Sequence, residues 1–194
     1  MDINELIFAT SNANKVSEVN KLLPDNIQVH SLKDIGFTDE LPETQDTIEG
    51  NAIQKAETLY KLTGKDCFAE DTGLIVPALN GEPGVYSARY AGPQKNDLDN
   101  MNLLLQNLQD HAERSAYFKT VIALFIDGKH HTFEGRAEGH IIRHPRGNQG
   151  FGYDPIFLPN GFDTTFAEMN MTEKGSVSHR AKALQLLIEH LAKL

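Results

Sequence analysis

The sequence contains only one cysteine, Cys67, and has no excess of basic residues. A single cysteine excludes an internal disulfide framework and a zinc site built from cysteines. The formal net charge of -9 disfavours nonspecific binding to DNA, RNA or an anionic membrane, because those partners need a basic surface. Any anionic ligand of this chain must therefore meet a local cluster of cations or a metal ion.

Long apolar runs are also missing, and residues 1–5 are acidic. We therefore expect neither a secretory signal nor a membrane span, and hence a cytoplasmic location. With 194 residues, of which 40% are hydrophobic and 23% charged, the chain is long enough for a sizeable core and disorder is not indicated. We predict a single domain, residues 1–194, with two lobes.

The first half of the chain alternates between strand and helix patterns. A buried strand is predicted at residues 6–10, followed by a polar loop and a helix from 15 to about 23. A second helix, over residues 47–62, has apolar residues at spacings that suit one buried face. Asp46 and Glu49 have the spacing of a capping box at its start.

The second half contains a predicted long hairpin. Two strand-like segments, 117–126 and 129–136, flank Asp127 and Gly128, a pair typical of a two-residue type I′ turn. A further strand is predicted at 139–143 and a closing helix at 178–194. Because the hairpin interrupts the strand–helix alternation, we expect an α/β fold with a mixed sheet and helices packed around it, not a regular doubly wound fold.

Two adjacent carboxylates, Glu70 and Asp71, precede the hydroxyl of Thr72 at a point where we predict that a strand breaks at Gly73. Magnesium commonly takes one or two fixed carboxylates together with phosphate oxygens, which fits a metal site. The same residues also fit an ordinary turn, since Asp and Thr bond their own backbone and Gly permits positive φ. Glu43, in a separate loop, is either a further ligand or a solvated side chain. The residues alone leave these interpretations open.

A polar loop connects the first predicted strand to the first predicted helix, and it offers hydroxyl, amide and lysine groups. Its residues are Thr10, Ser11, Asn12, Ala13, Asn14 and Lys15. Free backbone N–H groups and the helix dipole favour an anion at such a helix start, which predicts a phosphate site. Helix capping is the alternative explanation for the same polar residues.

Phe151 lies between two glycines in the segment 150–155, where an exposed ring would offer a nucleobase a stacking surface. The alternative is a turn whose aromatic residues fill the core. Lys174, His179 and Arg180 lie just before and within the start of the last predicted helix. Cations there oppose the helix dipole, which favours a ligand-facing role.

Five segments, in this order, resemble the inosine triphosphate pyrophosphatases, also called nonstandard purine nucleoside triphosphate pyrophosphatases or XTP/dITP diphosphatases. The segments are 10–15, 70–74, 81–90, 150–155 and 178–180. The resemblance implies an elongated mixed α/β sheet flanked by helices, with a central cleft between two lobes. It also implies a homodimer, dependence on Mg2+, and hydrolysis of ITP, dITP and XTP to the monophosphate and pyrophosphate.

The resemblance also implies roles for individual residues. Asp71 is the expected catalytic base and a metal ligand, with Glu70 and Glu43 completing the metal site. The expected substrate contacts are Thr10, Ser11, Asn12, Ala13, Asn14, Lys15 and Lys55 for the triphosphate, Thr72, then Phe151, Gly152, Tyr153 and Asp154 for the base and sugar, and Lys174, His179 and Arg180 for the purine edge.

The chain departs from the family pattern at two of these positions. Many relatives have glycine in place of Ser11, and serine would be strained if the loop required a positive φ there. Many bacterial relatives have aspartate in place of Glu70, whose longer side chain changes the expected metal geometry. Two other functions stay open, namely a noncatalytic nucleotide-binding module and a Maf-like pyrophosphatase for other nucleotides.

Overall fold

A computed structural model describes residues 5–21, 23–24 and 26–193, apart from the side chains of Asn14 and Glu18. The start of the chain and Leu194, the last residue of the predicted closing helix, lie outside the described residues. The strands are β1 (Glu5–Phe8), β2 (Gln28–Ser31), β3 (Cys67–Ile75), β4 (Ser115–Ile126), β5 (Lys129–Ile141) and β6 (Phe157–Pro159). The α-helices are α1 (Ala13–Asn20), α2 (Ile48–Thr63), α3 (Asp97–Asn107), α4 (Met171–Val177) and α5 (His179–Leu191).

These strands form one sheet in the order β2-β1-β3-β4-β5-β6. Strand β1 pairs in parallel with both β2 and β3, so that Phe8 lies opposite Ser31 on one side and Phe68 on the other. Strand β5 pairs with β6 in the antiparallel direction. The sheet is therefore mixed, and the predicted α/β fold is confirmed.

The hairpin of β4 and β5 turns where the sequence predicted. Asp127 and Gly128 have φ values of 49° and 72°. Positive φ at both central residues is the requirement of a type I′ turn, whose twist matches that of the strands. The second strand is longer than expected, because β5 continues to Ile141 and includes most of the separate strand that was predicted at 139–143.

The chain divides into two compact units. The first unit contains Met1–Asp71, Thr120–Gly135 and Arg180–Leu194, and the second contains Thr72–Lys119 and Arg136–His179. The expected cleft between two lobes stays a prediction. In the described part of the chain, no helix is both long enough and apolar enough to cross a membrane.

Each unit has its own hydrophobic core. In the first unit, the rings of Phe8 and Phe68 stack at 4.5 Å between centroids, and apolar residues of α1 and α5 belong to the same core. In the second unit, Phe118 packs edge-on against Phe157 at 4.7 Å, together with residues of α3. Burial of these large side chains is the main force that holds the strands and helices of each unit in place.

The run from Glu70 to Gly73 does not form the predicted turn, and no strand ends at Gly73. Strand β3 continues without a break through these residues to Ile75. Gly73 is buried and is not among the described glycines with positive φ. The prediction of a turn was wrong because backbone pairing within the sheet overrides the local preference of Asp, Thr and Gly for turns.

Two predicted helix starts are corrected by the structure. The N-cap of α2 is Thr47, whose side chain accepts a hydrogen bond from the Gly50 N–H, and not Asp46 of the predicted capping box. The closing segment contains two helices, because α4 precedes α5 and has its own capping box of Asn170 and Glu173. Lys174 therefore lies in the last turn of a helix, where a cation is favourable, and its position does not oppose the dipole.

Candidate functional site

Strand β3 carries Glu70 and Asp71 into different surroundings within the first unit. Neighbouring side chains on a strand point to opposite faces of the sheet, so adjacent carboxylates are separated. The Glu70 side chain is 1% exposed, and both of its oxygens lie 3.0 Å from Nε of Arg180. Lys15 adds a second cation, with Nζ 3.2 Å from Glu70 Oε1. Glu70 is thus a buried anion held by two cations.

The charges around Glu70 decide its protonation state. Burial alone would raise the pKa of this carboxyl group, because a buried charge loses its hydration. The charges of Arg180 and Lys15, with their hydrogen bonds, outweigh burial and lower the pKa to about 2. Glu70 therefore stays ionised throughout the neutral range.

Asp71 and Glu43 meet at a buried lysine of α2. The Lys55 Nζ lies 2.5 Å from Glu43 Oε1 and 3.4 Å from Asp71 Oδ1. On the other side of the carboxylate, the Asn51 side chain donates to Asp71 Oδ2 at 3.3 Å. Asp71 is 13% exposed and Glu43 is 37% exposed, so both carboxylates retain access to solvent.

The pKa values of Lys55 and Asp71 depend on each other's charge. Burial raises the pKa of Asp71, the Lys55 charge opposes this, and Glu43 adds to it, so the pKa lies above its ordinary value. Burial lowers the pKa of Lys55, but Asp71 and Glu43 outweigh it and raise that pKa. The lysine is therefore a permanent cation, and Asp71 is a stronger base than an exposed aspartate.

Asn51 belongs to the candidate site but was not predicted from the sequence. It is 1% exposed, donates to Asp71, and accepts a hydrogen bond from the Gln45 N–H at 2.9 Å. The signal was present in the sequence, because Asn51 and Lys55 are four residues apart on the face of α2 that is otherwise apolar. Two polar residues at helical spacing on a buried face indicate a shared polar partner.

The loop before α1 is organised by its own side chains. The Asn12 N–H donates to Thr10 Oγ1 at 3.1 Å, and the Lys15 N–H donates to Asn12 Oδ1 at 3.3 Å. Helix capping is therefore present here, and it is compatible with the predicted phosphate site. Ser11 and Ala13 are exposed. Asn14 belongs to α1, but its side chain lies outside the described residues.

Ser11 carries no backbone strain. The described non-glycine residues with positive φ are Asn80, Lys95 and Asp127, so serine adopts an ordinary conformation at the position where many relatives have glycine. The strain that the family comparison raised does not arise.

In the second unit, Phe151 lies beside a buried ion pair. Lys174 Nζ is 2.7 Å from Asp154 Oδ2 and 5.2 Å from the centre of the Phe151 ring. The Phe151 N–H donates to the same carboxylate at 2.9 Å. Gly150 has φ 75°, and a Cβ there would collide with the Asp154 carboxylate, so only glycine fits. This arrangement holds Phe151 half-buried at a fixed loop.

The other predicted base contacts differ in exposure. Tyr153 is 4% exposed and its hydroxyl donates to the Ser87 carbonyl at 2.8 Å, so this aromatic residue belongs to the core. The Gly152 N–H donates to Asp97 Oδ2 at 2.8 Å. His179 is buried, and its ring stacks on Phe118 at 4.6 Å between centroids. Thr72, the residue after Asp71 in β3, is half-buried.

The carboxylates differ in how well they suit a divalent cation. Within the described ranges, no group of three or more His, Cys, Asp or Glu side chains gathers as a metal site. Glu70 does not fit a ligand role, since both of its oxygens face cationic side chains. Asp71 and Glu43 fit better although both contact Lys55, because they share this one cation and their side chains are 13% and 37% exposed. Magnesium uses one or two protein carboxylates and completes its shell with water and phosphate.

Comparisons with known proteins agree over nearly the whole length. The Ham1 family model matches residues 6–190. The chain is 54% identical to a dITP/XTP pyrophosphatase of Flavobacterium psychrophilum, over 95% of this chain and 97% of that protein. It is also 54% identical to a dITP/XTP pyrophosphatase of Flavobacterium johnsoniae, over 96% and 97%. A solved HAM1 protein from Coxiella burnetii has a TM-score of 0.92 and 38% identity, with 99% and 100% covered.

Proposed function

Because the chain belongs to the Ham1 family, we propose that it hydrolyses the nonstandard purine nucleoside triphosphates ITP, dITP and XTP to the monophosphate and pyrophosphate. The predicted family is confirmed, and so is the predicted hydrolase class, since close relatives are dITP/XTP pyrophosphatases over nearly their full length. These relatives do not favour the two alternatives, a noncatalytic binder and a Maf-like enzyme. The observation that best supports hydrolysis is the position of the Asp71 carboxylate between Lys55 and Asn51.

Asp71 is the proposed general base. Its carboxylate is mostly buried but not sealed, and its raised pKa improves its ability to accept a proton from a water molecule. Lys55 and Asn51 contact different oxygens of the group, which fixes the orientation of the carboxylate plane. The attacking water would be oriented by Asp71 and would lose its proton to it.

Lys15 and the start of α1 are the proposed triphosphate contacts. The first N–H groups of a helix lack intrahelical partners and bind anions well. The Thr10 and Asn12 side chains keep the loop in shape through their hydrogen bonds to the Asn12 and Lys15 N–H groups. Lys15 brings a positive charge to the same helix start, which offsets the formal net charge of the chain locally.

We propose Mg2+ as the cofactor, held by Asp71 and Glu43. A bound divalent cation would neutralise charge on phosphate oxygens during cleavage. Lys55 lies between these two carboxylates, and its charge favours the ionised form of Asp71. Glu70 is not among the proposed ligands, because Arg180 and Lys15 hold its carboxylate.

Arg180 is the proposed reader of the purine edge. Hypoxanthine and xanthine present an acceptor at the 6-position, where adenine presents an amino donor. A guanidinium group only donates, so it favours the 6-keto purines. An adenine amino group facing the guanidinium would be an unsatisfied buried polar group, which would weaken the binding free energy by about 1–3 kcal/mol. Six further residues stay predicted contacts of the base or sugar, namely Phe151, Gly152, Tyr153, Asp154, Lys174 and His179. The substrate contact of Thr72, the homodimer and the cytoplasmic location also stay predictions.

A substrate panel tests the proposed function. Purified protein with Mg2+ is given ITP, XTP, dITP, ATP, GTP and UTP, and pyrophosphate and orthophosphate are measured separately. We expect pyrophosphate from the first three. Preference for UTP would support a Maf-like enzyme, absence of all turnover would support a binding module, and release of orthophosphate would contradict the proposed bond cleavage.

A further inference from the structure

We propose that Glu70 is a positioning residue that orients Arg180 and Lys15, and that it is not a metal ligand. The inference rests on the proposed function, because it assigns the three side chains to one reaction. It replaces the expectation, drawn from the sequence, that the Glu70–Asp71 pair binds a metal ion as a unit.

The contacts of Glu70 are those of an internal counter-ion. Its side chain is 1% exposed and that of Arg180 is 3% exposed, so the pair is shielded from water. Arg180 Nε lies 3.0 Å from both carboxylate oxygens, and Lys15 Nζ lies 3.2 Å from one of them. A divalent cation at this carboxylate would have to displace the buried contact with Arg180 and the partly exposed contact with Lys15, or add its charge to theirs. Both arrangements are unfavourable.

The three residues come from three different elements. Lys15 is in the first turn of α1, Glu70 is in β3, and Arg180 is the second residue of α5. Glu70 and Arg180 are 110 residues apart in sequence, so their contact depends on the folded first unit. The Glu70 carboxylate therefore contacts both Lys15 of the proposed phosphate-binding helix and Arg180, the proposed contact of the purine edge.

Positioning of this kind has a kinetic signature. Arginine and lysine have flexible side chains, and holding them before the ligand arrives reduces the entropy that binding must remove. Loss of the Glu70 charge is expected to weaken nucleotide binding and purine discrimination. Asp71 contacts Lys55 and Asn51, and Glu43 contacts Lys55, so the response of these proposed metal ligands to metal should persist.

The main test compares Glu70→Gln with the wild-type chain in three measurements. The first is the ratio of kcat/KM for ITP to that for ATP, which we expect to fall by about tenfold. The second is the Mg2+ concentration at half-maximal activity, which we expect to change by less than about twofold. The third is the Kd for ITP by calorimetry in EDTA, expected to rise by about tenfold.

Glu57→Gln is the matched control. Glu57 pairs with Lys61 on the exposed surface of α2 at 2.8 Å, so this variant removes one negative charge of the first unit without touching the proposed site. All three measurements should stay at their wild-type values. Circular dichroism and thermal unfolding of both variants establish that they are folded. If Glu70→Gln does not fold, Glu70→Asp keeps the charge but shortens the side chain, and a smaller change in the same direction is expected.

A double-mutant cycle separates positioning from a general loss of stability. If Glu70 acts through Arg180, then Arg180→Gln and the double variant should have the same ITP to ATP ratio. Additive losses, or a Mg2+ midpoint that rises by about tenfold with the ratio unchanged, would overturn the proposal. Binding in EDTA does not require turnover. A wild-type chain that binds ITP without releasing pyrophosphate would therefore refute the proposed function while leaving this inference testable.

Discussion

Acidification should remove a defined part of the stability of this chain through Glu70. The pKa of this residue is about 2 in the folded chain, compared with an ordinary value of 4.5. A folded pKa that is depressed contributes stability that is complete above the ordinary pKa and is lost as the pH falls towards the folded pKa. The difference corresponds to about 3 kcal/mol, of which about 2 kcal/mol should be lost between pH 6 and pH 3.

The physical origin of this effect is the pairing with Arg180 and Lys15. At pH 6 the ionised carboxylate pairs with the buried guanidinium of Arg180 and with the ammonium of Lys15, which is 20% exposed. In Glu70→Gln the charge of this carboxylate is absent at every pH. Breaking a buried pair in this way costs on the order of 3–5 kcal/mol when the partner carboxylate is ionised. As the Glu70 carboxylate becomes protonated, the unfolding free energy of the wild-type chain approaches that of the variant.

The assay is urea unfolding, followed by circular dichroism, at half-unit steps from pH 6 to pH 3. EDTA is present so that no cation perturbs Asp71 or Glu43. Because other titrating groups contribute equally to both proteins, they cancel in the difference between wild type and Glu70→Gln. We expect this difference in unfolding free energy to shrink by about 2 kcal/mol across the range. A difference that stays constant with pH would refute the assignment of Glu70 as an ionised buried partner.

Three further predictions concern other parts of the molecule. Asp71→Asn should lower kcat by about a hundredfold or more while ITP binding in calorimetry stays measurable, and near-normal turnover would remove Asp71 from the mechanism. The Cys67 thiol is buried and its pKa is raised to about 12. Labelling by a thiol reagent at pH 8 should therefore be slow in the native chain and faster in urea, and rapid labelling of the native chain would contradict this. Gly128→Ala should destabilise the hairpin by about 1 kcal/mol because φ is positive there. Gly175 lies in α4, and a Cβ added there would meet no atom within 4 Å, so Gly175→Ala should be neutral or stabilising in the same urea titration. Equal losses in both variants would rule out the φ argument.

Elements with a local cause were predicted well from the sequence. The type I′ turn at Asp127 and Gly128 follows from the residues that tolerate positive φ, and the structure has it at the same positions. The helix α2 ends before Gly64, which has the left-handed conformation expected of a C-cap glycine. The N-cap was misplaced by one residue, because Thr47 and Asp46 have similar capping ability and only the path of the chain selects between them.

Elements with a nonlocal cause were predicted less well. The residues from Glu70 to Gly73 have the composition of a turn, but strand pairing in the sheet makes them part of β3. The spacing of Asn51 and Lys55 on one helix face indicated a shared polar partner, but that partner, Asp71, is twenty residues from Asn51 and only the fold identifies it. Lys55 was recognised as a further cation, whereas its position between Glu43 and Asp71 became clear only from the folded chain.

The sequence by itself determined the family, the order of most elements and the set of polar residues from which a site is built. These features depend on residue identity and on short-range spacing, which the chain carries before it folds. Tertiary structure alone decided the partner of each charge. Glu70 and Asp71 are neighbours in the chain, yet one is a buried anion paired with Arg180 and the other a partly exposed carboxylate beside Lys55. The physical reason is the alternation of side chains along a strand, which sends two adjacent carboxylates into different electrostatic environments.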